Sequence, residues 1–111
     1  MRRVSWLKAA LRAFEDFPEQ ICRQIAFGLD RAAGGGKADN AKPLHGIDGG
    51  VFEVTADDRS GTYRAVYALK VGDDIWVVHA FHKKSVRGIK TPQREIDLIR
   101  ERIKRLRESL R

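Results

Sequence analysis

The spacing of apolar residues changes twice along the chain, which separates a helical front, a strand-rich middle and a helical end. Near the start, Leu7, Ala10, Leu11 and Phe14 recur at the spacing of one helix face, after the short stretch "RVSW". Residues three and four apart lie on the same side of an α-helix. The front of the chain is therefore predicted to begin with an edge strand and a short helix.

A second helix is predicted between Ile21 and Leu29, where apolar residues again recur at helical spacing. Asp16 and Glu19 are spaced like a capping pair before it. The glycine run at 34–36 is predicted to end this helix, because glycine readily adopts the left-handed conformation found after many helices. The stretch that follows, "GGGKADNAKP", is predicted to be a loop.

From residue 51 the period becomes two, which is the period of a β-strand with two different faces. The stretches "VFEVTA", "TYRAVYALKV" and "IWVVHAFHKK" are predicted strands, and "DDRSG" and "GDD" between them are typical of tight turns. Short turns join antiparallel neighbours, so these strands are expected to form a meander. Such a sheet can pack one face on helices and leave the other face open to a ligand.

The final segment, "TPQREIDLIRERIKRLRESLR", has the strongest helix pattern, with Thr91 as its predicted cap. Its apolar stripe consists of Ile96, Ile99, Ile103, Leu106 and Leu110. The opposite face is rich in arginine, and Glu101 and Arg105 are spaced for an ion pair. The whole pattern predicts one α+β domain over residues 1–111, with an antiparallel sheet, made of a short N-terminal edge strand and a three-stranded meander, packed against two N-terminal helices and a C-terminal helix.

Composition places the chain among globular proteins, with 111 residues of which 42% are hydrophobic and 33% are charged. No stretch approaches the ~20 apolar residues that cross a bilayer, and Lys8 and Arg12 interrupt what would be the apolar part of a signal peptide. Cys22 is the sole cysteine, so it cannot form an internal disulfide. These features predict a soluble cytoplasmic protein without a membrane partner.

The net charge of +7 comes entirely from the end of the chain. Residues 1–82 contain 11 basic and 11 acidic side chains, whereas residues 83–111 contain 11 basic and 4 acidic ones. The excess begins where the third predicted strand ends in "HKK". A one-sided positive field favours a polyanion or an acidic protein as partner, although a solubilising basic helix would have the same composition.

Arg64 is the first candidate for a functional residue, because it interrupts the otherwise apolar strand "YRAVYAL". A guanidinium in such a strand costs free energy unless an anionic or polar group meets it. One possible partner is a phosphate that Arg64 holds together with Lys83 or Lys84 at the end of the last strand. The other is the carboxylate of Glu53 on the neighbouring strand.

His79 and His82 have the H-x-x-H spacing of some zinc sites, but residues three apart on a strand point to opposite faces. Since no second cysteine or acidic cluster accompanies them, neither a metal nor another cofactor is predicted. His79 is expected to be buried and hydrogen-bonded on the face of Val77 and Phe81, and His82 to reach solvent. The chain has no P-loop, G-x-G-x-x-G motif or Ser-His-Asp order, which argues against nucleotide-triphosphate and covalent hydrolase chemistry.

Four blocks give a more specific indication, namely "KPLHGIDGGVFE", "YRAVYA", "HAFHKKS" and "KTPQREI". In this order and spacing they resemble the HigB branch of the RelE/ParE toxin superfamily, in the form often carried by phage-derived genes. The resemblance implies a RelE-like fold and the toxin of a type II toxin–antitoxin pair. It implies an endoribonuclease that cuts messenger RNA, usually on the ribosome, with a helix-turn-helix antitoxin as its protein partner.

By motif position, the resemblance places Arg64 at the scissile phosphate, with Lys83 and Lys84 at the basic strand end that borders the same site. Many relatives carry glutamine where His82 stands. Glu53 occupies a strand on which some relatives carry lysines, and this chain has no tyrosine near its C-terminus. The general base is therefore left open between His82 and Glu53.

The expected reaction is attack of an RNA 2′-hydroxyl on the adjacent phosphorus, without a metal ion. The expected catalytic residues are Arg64, Lys83, Lys84, His82 and Glu53, and the expected RNA-binding residues are Lys83, Lys84, Arg87 and Lys90. Two alternatives stay open. Relatives in the same superfamily poison DNA gyrase by binding it, and a phage relic could bind RNA without cleaving it, since one fold supports different functions.

Overall fold

The computed structural model describes residues 1–47, 49–84 and 90–111. In order, their elements are β1 (Val4–Trp6), α1 (Lys8–Glu15), α2 (Glu19–Ala33), β2 (Ala41–Pro43), β3 (Val51–Asp58), β4 (Gly61–Val71), β5 (Asp74–Lys83) and α3 (Gln93–Ser109). The predicted α+β class, edge strand, helical pair, meander and C-terminal helix are confirmed.

The strands form one mixed sheet in the order β1-β5-β4-β3-β2. The prediction of a fully antiparallel sheet is wrong, because β1 runs parallel to β5, with Val4 opposite Ile75. Helices and not a tight turn follow β1, so its direction is not tied to that of its neighbour. The predicted loop before the meander also contains β2, which covers the edge of β3 and buries Ala41.

Helices cover both faces of the sheet, with α1 and α2 on one face and α3 on the other. An open second face, which such a sheet can have, is absent from the described sheet, because its strands carry apolar residues on both sides. On β4, Tyr63, Ala65 and Tyr67 belong to the α1/α2 face, whereas Val66 and Ala68 pack under α3. Burial of apolar surface is worth roughly 25 cal/mol per Å², so either row left in water would weaken the fold.

A bulge at Val78 in β5 changes which residues share a face. The register between β4 and β5 shifts by one residue between Val77 and His79. An extra residue in one strand moves the side chains that follow to the other face. His79 therefore faces α3 together with Phe81, and the prediction that it shares a face with Val77 is wrong.

The helix starts differ from the predicted caps. Pro18 and Pro92 directly precede α2 and α3, and neither N-terminus receives a side-chain hydrogen bond. The fixed φ of proline suits a helix start, and its missing N–H costs nothing there. The predicted caps by Asp16 with Glu19 and by Thr91 are therefore wrong, and the Thr91 hydroxyl binds a buried carboxylate instead.

The apolar stripe of α3 packs on the sheet as predicted, except for its last member. Leu110 lies past the end of the helix and is 49% exposed. On the outer face, Nε of Arg105 donates to Oε1 of Glu101 at 3.0 Å, which confirms the predicted pair. None of the helices described is long and apolar enough to cross a membrane.

Candidate nucleic-acid site

Arg64 extends from β4 on the α3 face of the sheet, where it is 3% exposed. Its Nη1 lies 3.3 and 3.4 Å from the two carboxylate oxygens of Glu53, which is 2% exposed. The same Nη1 donates to the hydroxyl of Thr91 at 2.9 Å. Of the two partners considered for Arg64, a phosphate and the Glu53 carboxylate, the structure shows a contact with the carboxylate.

Thr91 joins both members of this pair. Its Oγ1 donates to Oε2 of Glu53 at 2.9 Å while it accepts from Nη1 of Arg64. Lys42 adds a longer contact, with Nζ 3.6 Å from Oε1 of Glu53. The Glu53–Arg64–Thr91 cluster therefore already holds one alcohol group between a carboxylate and a guanidinium.

A cleft of about 490 Å³ opens between the β2–β3 region and the start of α3. It is lined by Lys42, Leu44, His45, Gly46, Glu53, Lys90, Thr91, Gln93 and Ile96. Because Glu53 is buried, its carboxylate lies at the floor, whereas Lys42, His45 and Lys90 are exposed. The cleft combines cations that can hold a phosphate with a carboxylate that can accept a proton.

The basic residues predicted at the end of β5 do not form a single cluster. Lys83 shares a face with Arg64 by strand alternation, and its Nζ donates to the backbone carbonyl of Lys90 at 3.1 Å. Arg64, Lys83 and Lys90 therefore lie on the α3 side of the sheet. Lys84 follows the last residue of β5 and is exposed. Arg87 lies outside the described residues.

His82 lies on the opposite face from the Glu53–Arg64–Thr91 cluster. Its ring stacks on Tyr63, with centroids 4.1 Å apart and planes within 3° of parallel. Its Nε2 lies 2.8 Å from the backbone carbonyl of Ser60. The predictions that His82 reaches solvent and diverges from His79 are confirmed, but the structure does not bring His82 together with Arg64.

His79 is buried and hydrogen-bonded, as predicted, in a contact that attaches α3 to β5. Its Nε2 lies 3.2 Å from Oε2 of Glu95, and its Nδ1 lies 2.9 Å from Nη1 of Arg102. Because arginine can only donate, Nδ1 is the acceptor and Nε2 carries the proton. Burial lowers the pKa of His79, and this effect outweighs the opposing influence of Glu95.

Comparison with solved structures defines the class of fold. A double-mutant form of the E. coli toxin RelE in the free state superposes with a TM-score of 0.60 at 16% sequence identity, and the match covers 94% of this chain and 96% of that one. At this identity the likeness concerns the fold alone. No curated protein sequence is significantly similar to the chain.

The family follows from the sequence over most of its length. Residues 12–104 match the family described as "Phage derived protein Gp49-like (DUF891)". The chain belongs to this family. The expected relationship to a phage-derived group with the RelE fold is confirmed at this level, and membership of the HigB branch stays a prediction.

Lys42, His45 and Thr91 line the cleft although the sequence pattern assigns none of them a chemical role. Lys42 lies in the short strand β2, His45 in the loop that follows it, and Thr91 just before α3. Thr91 is 38 positions from Glu53 in the sequence. Local periodicity has no information about contacts at that separation. The available signal is that all three residues lie within the blocks that carry the family resemblance.

Proposed function

We propose that this protein is the toxin of a type II toxin–antitoxin pair and that it cleaves messenger RNA on the ribosome by metal-independent attack of a 2′-hydroxyl. Membership of the Gp49-like family and the RelE fold support the proposal. The observation that carries it is the Thr91 hydroxyl, which donates to Glu53 and accepts from Arg64. An attacking 2′-hydroxyl needs the same neighbours, namely an acceptor for its proton and a cation beside the developing charge.

In the proposed reaction the substrate hydroxyl takes the place of the Thr91 hydroxyl. Glu53 accepts its proton while the oxygen attacks the adjacent phosphorus, and a 2′,3′-cyclic phosphate forms as the 5′-oxygen leaves. Arg64 stabilises the additional negative charge of the transition state. Its contact with Glu53 also orients the carboxylate at the floor of the cleft.

The exposed residues of the cleft position the RNA. Lys42 and Lys90 bind phosphate oxygens, and Lys83, which is bound to the backbone of Lys90, extends this surface along the end of the sheet. His45 donates the proton to the departing 5′-oxygen, because imidazole is the side chain that exchanges protons most readily near neutral pH. Positioning by the ribosome can supply ~7 to 11 kcal/mol of barrier reduction, so a sparse site is sufficient.

The direct test adds the purified protein to a translating extract that contains a chelator and maps the ends of the messenger. We expect cuts in phase with codons, ending in cyclic phosphates. Intact messenger with arrested DNA supercoiling would contradict the proposal and favour a gyrase poison. Intact messenger that stays bound to the protein would favour a non-catalytic RNA-binding role.

Substitutions at the rim test the location of the site. Lys42→Gln and Lys90→Gln each remove a charged hydrogen bond to phosphate, which should lower the cleavage rate about 10- to 100-fold. Lys8→Gln on α1 is the matched control, since it changes the net charge equally at an exposed position far from the cleft in the fold. An equal loss in all three variants would show that net charge matters and the cleft does not.

Substitutions at the floor test the chemistry. Thr91→Ala removes the hydroxyl that occupies the proposed substrate position, so the cleavage rate should stay the same or rise. Glu53→Gln should abolish cleavage while its amide still accepts a hydrogen bond from Arg64. Melting temperatures of both variants identify any loss that comes from unfolding. Equal loss of cleavage in two folded variants would overturn the assignment of Glu53.

The proposed protein partner is a helix-turn-helix antitoxin, and the proposed location is the cytoplasm. The positive charge of the C-terminal third would favour an acidic segment of that partner. Coexpression of a neighbouring helix-turn-helix reading frame should restore growth. The product of that frame should copurify with the protein. Growth arrest that persists despite stable coexpression would exclude that frame as the antitoxin.

A further inference from the structure

A chain of aromatic side chains runs through the α1/α2 face and ends at an exposed imidazole. Ring centroids are 4.8 Å apart between Trp6 and Phe14, 6.0 Å between Phe14 and Phe17, and 4.8 Å between Phe17 and Tyr63. His82 stacks on Tyr63 at 4.1 Å. This aromatic ladder supports the last ring from beneath through a series of packed contacts.

The imidazole of His82 is held in one orientation. Its Nε2 donates to the backbone carbonyl of Ser60 at 2.8 Å. Within the described part of the chain, Nδ1 has no hydrogen-bond partner. His82 is exposed although one face of its ring lies on Tyr63, so a ligand would approach its other face.

The ring beneath His82 is fixed as well. The Tyr63 hydroxyl lies 2.5 Å from Oγ of Ser60. The Ser60 hydroxyl in turn donates to Oδ1 of Asp58 at 2.5 Å. Hydrogen bonds from Ser60 lower the pKa of Asp58, which keeps this carboxylate ionised near the imidazole. The turn between β3 and β4 therefore holds both rings of the stack.

Gly61 makes the close approach of the turn and β5 possible. A Cβ at this position would lie 2.2 Å from the carbonyl oxygen of Lys83 and 3.0 Å from Nε2 of His82. Its φ of +131° is also one that residues with side chains rarely adopt. A side chain here would separate Ser60 from His82 and release the imidazole.

We propose that the exposed face of His82 is a stacking platform for an unpaired nucleobase of the bound RNA. The inference rests on the proposed function, because it takes RNA as the ligand and adds a base-binding subsite to it. A flat ring with fixed orientation loses little conformational entropy on stacking, and base–aromatic stacking tolerates every base. The exposed Lys84 next to it can hold the phosphate of the same nucleotide.

The platform and the cleft take different nucleotides. His82 and the Glu53–Arg64–Thr91 cluster lie on opposite faces at the same end of the sheet, with Arg64 opposite Phe81 and Tyr63 opposite His82. Lys83, the last residue of β5, lies on the Arg64 face of this strand end, directly after His82 in the sequence. An RNA strand that crosses this end would place the scissile phosphate in the cleft and a flanking base on the imidazole.

Equilibrium binding to two uncleavable probes tests the platform. Fluorescence anisotropy would compare labelled 2′-O-methyl oligoadenylate with a labelled 2′-O-methyl abasic oligomer of equal length and charge. His82→Ala should weaken binding of the oligoadenylate about 5- to 100-fold and leave binding of the abasic oligomer unchanged. His82→Phe should retain the difference between the probes, because it keeps a ring at this position.

Three outcomes would overturn the inference: equal affinity of the wild-type protein for both probes, equal weakening of both probes by His82→Ala, or no weakening of either. Because neither probe has a 2′-hydroxyl, the result does not depend on nuclease activity. Cleavage of messenger without any base-dependent binding would remove the platform and leave the proposed function intact. Base-dependent binding without cleavage would support the platform and contradict the proposed nuclease function.

Discussion

The face of the sheet under α1 and α2 packs apolar and aromatic side chains, whereas the face under α3 contains the buried polar residues of the described chain, which are Glu53, Thr62, Arg64 and His79. Burial of a charged group costs free energy that a partner offsets only in part. The α1/α2 face therefore carries little of this cost. The α3 face gives up stability to keep ionisable groups together, as expected at the proposed RNA-binding site.

The way in which the helices are attached follows the same division. α2 contributes a row of buried apolar residues that includes Ile21, Ile25 and Leu29. α3 adds hydrogen bonds that involve charged groups to its apolar stripe, through Thr91 just before its start and through Glu95 and Arg102 on the helix. Contacts with charged groups depend on pH and on the presence of each partner. The attachment of α3 should therefore respond to conditions that leave α2 unaffected.

The largest predicted effect comes from breaking the buried ion pair. Glu53→Leu removes the carboxylate beside the buried guanidinium of Arg64 and should lower the free energy of unfolding by about 3–5 kcal/mol. Urea unfolding at pH 7 measures the loss. The double variant Glu53→Leu, Arg64→Met replaces both charges by apolar groups and should regain most of it. A double variant no more stable than the single one would show that the pair itself holds the α3 face together.

A cavity on the α1/α2 face should lower the free energy of unfolding by a comparable or smaller amount, and this loss should not depend on charge. Ile25 is fully buried, and Ile25→Ala should lower the free energy of unfolding by about 2–5 kcal/mol through lost burial and an unfilled cavity. Ile25→Val is the matched control, with an expected loss of about 0.5–1.5 kcal/mol. Since no charge is involved, the loss should be the same at pH 5.5 and pH 7.5. A strong dependence on pH would contradict the division between the two faces.

Sequence periodicity predicts the first of these faces better than the second. Alternation along β3 and β4 assigns Val54 and Tyr63 to the apolar face and Glu53 and Arg64 to the other, and the structure agrees. Periodicity does not predict the bulge at Val78, because two adjacent valines fit either register. It also does not predict Thr91 as a partner of Glu53, because that contact depends on where α3 begins and not on local spacing.

The next effect in size concerns pH. Burial lowers the pKa of His79 in the folded protein, whereas the unfolded chain has the ordinary value near ~6.5. Below that pH the unfolded state binds more protons, so the free energy of unfolding should fall as the pH drops from 7 through 6.5 toward the folded pKa. Above pH 7 this contribution should be constant. His79→Gln should remove this part of the pH dependence, and an unchanged profile in that variant would place its source elsewhere.

The smallest predicted effect lies on the outer surface of α3, where charges are not buried. Glu101 and Arg105 are 52% and 78% exposed at their side chains and form an i,i+4 pair. Such pairs contribute only ~0.3–0.5 kcal/mol, because water screens the attraction and both side chains lose freedom. Glu101→Gln should therefore shift the urea midpoint barely beyond experimental error, and the shift should vanish in 1 M salt. A loss close to that of Glu53→Leu would mean that burial does not separate the two kinds of ion pair on this face.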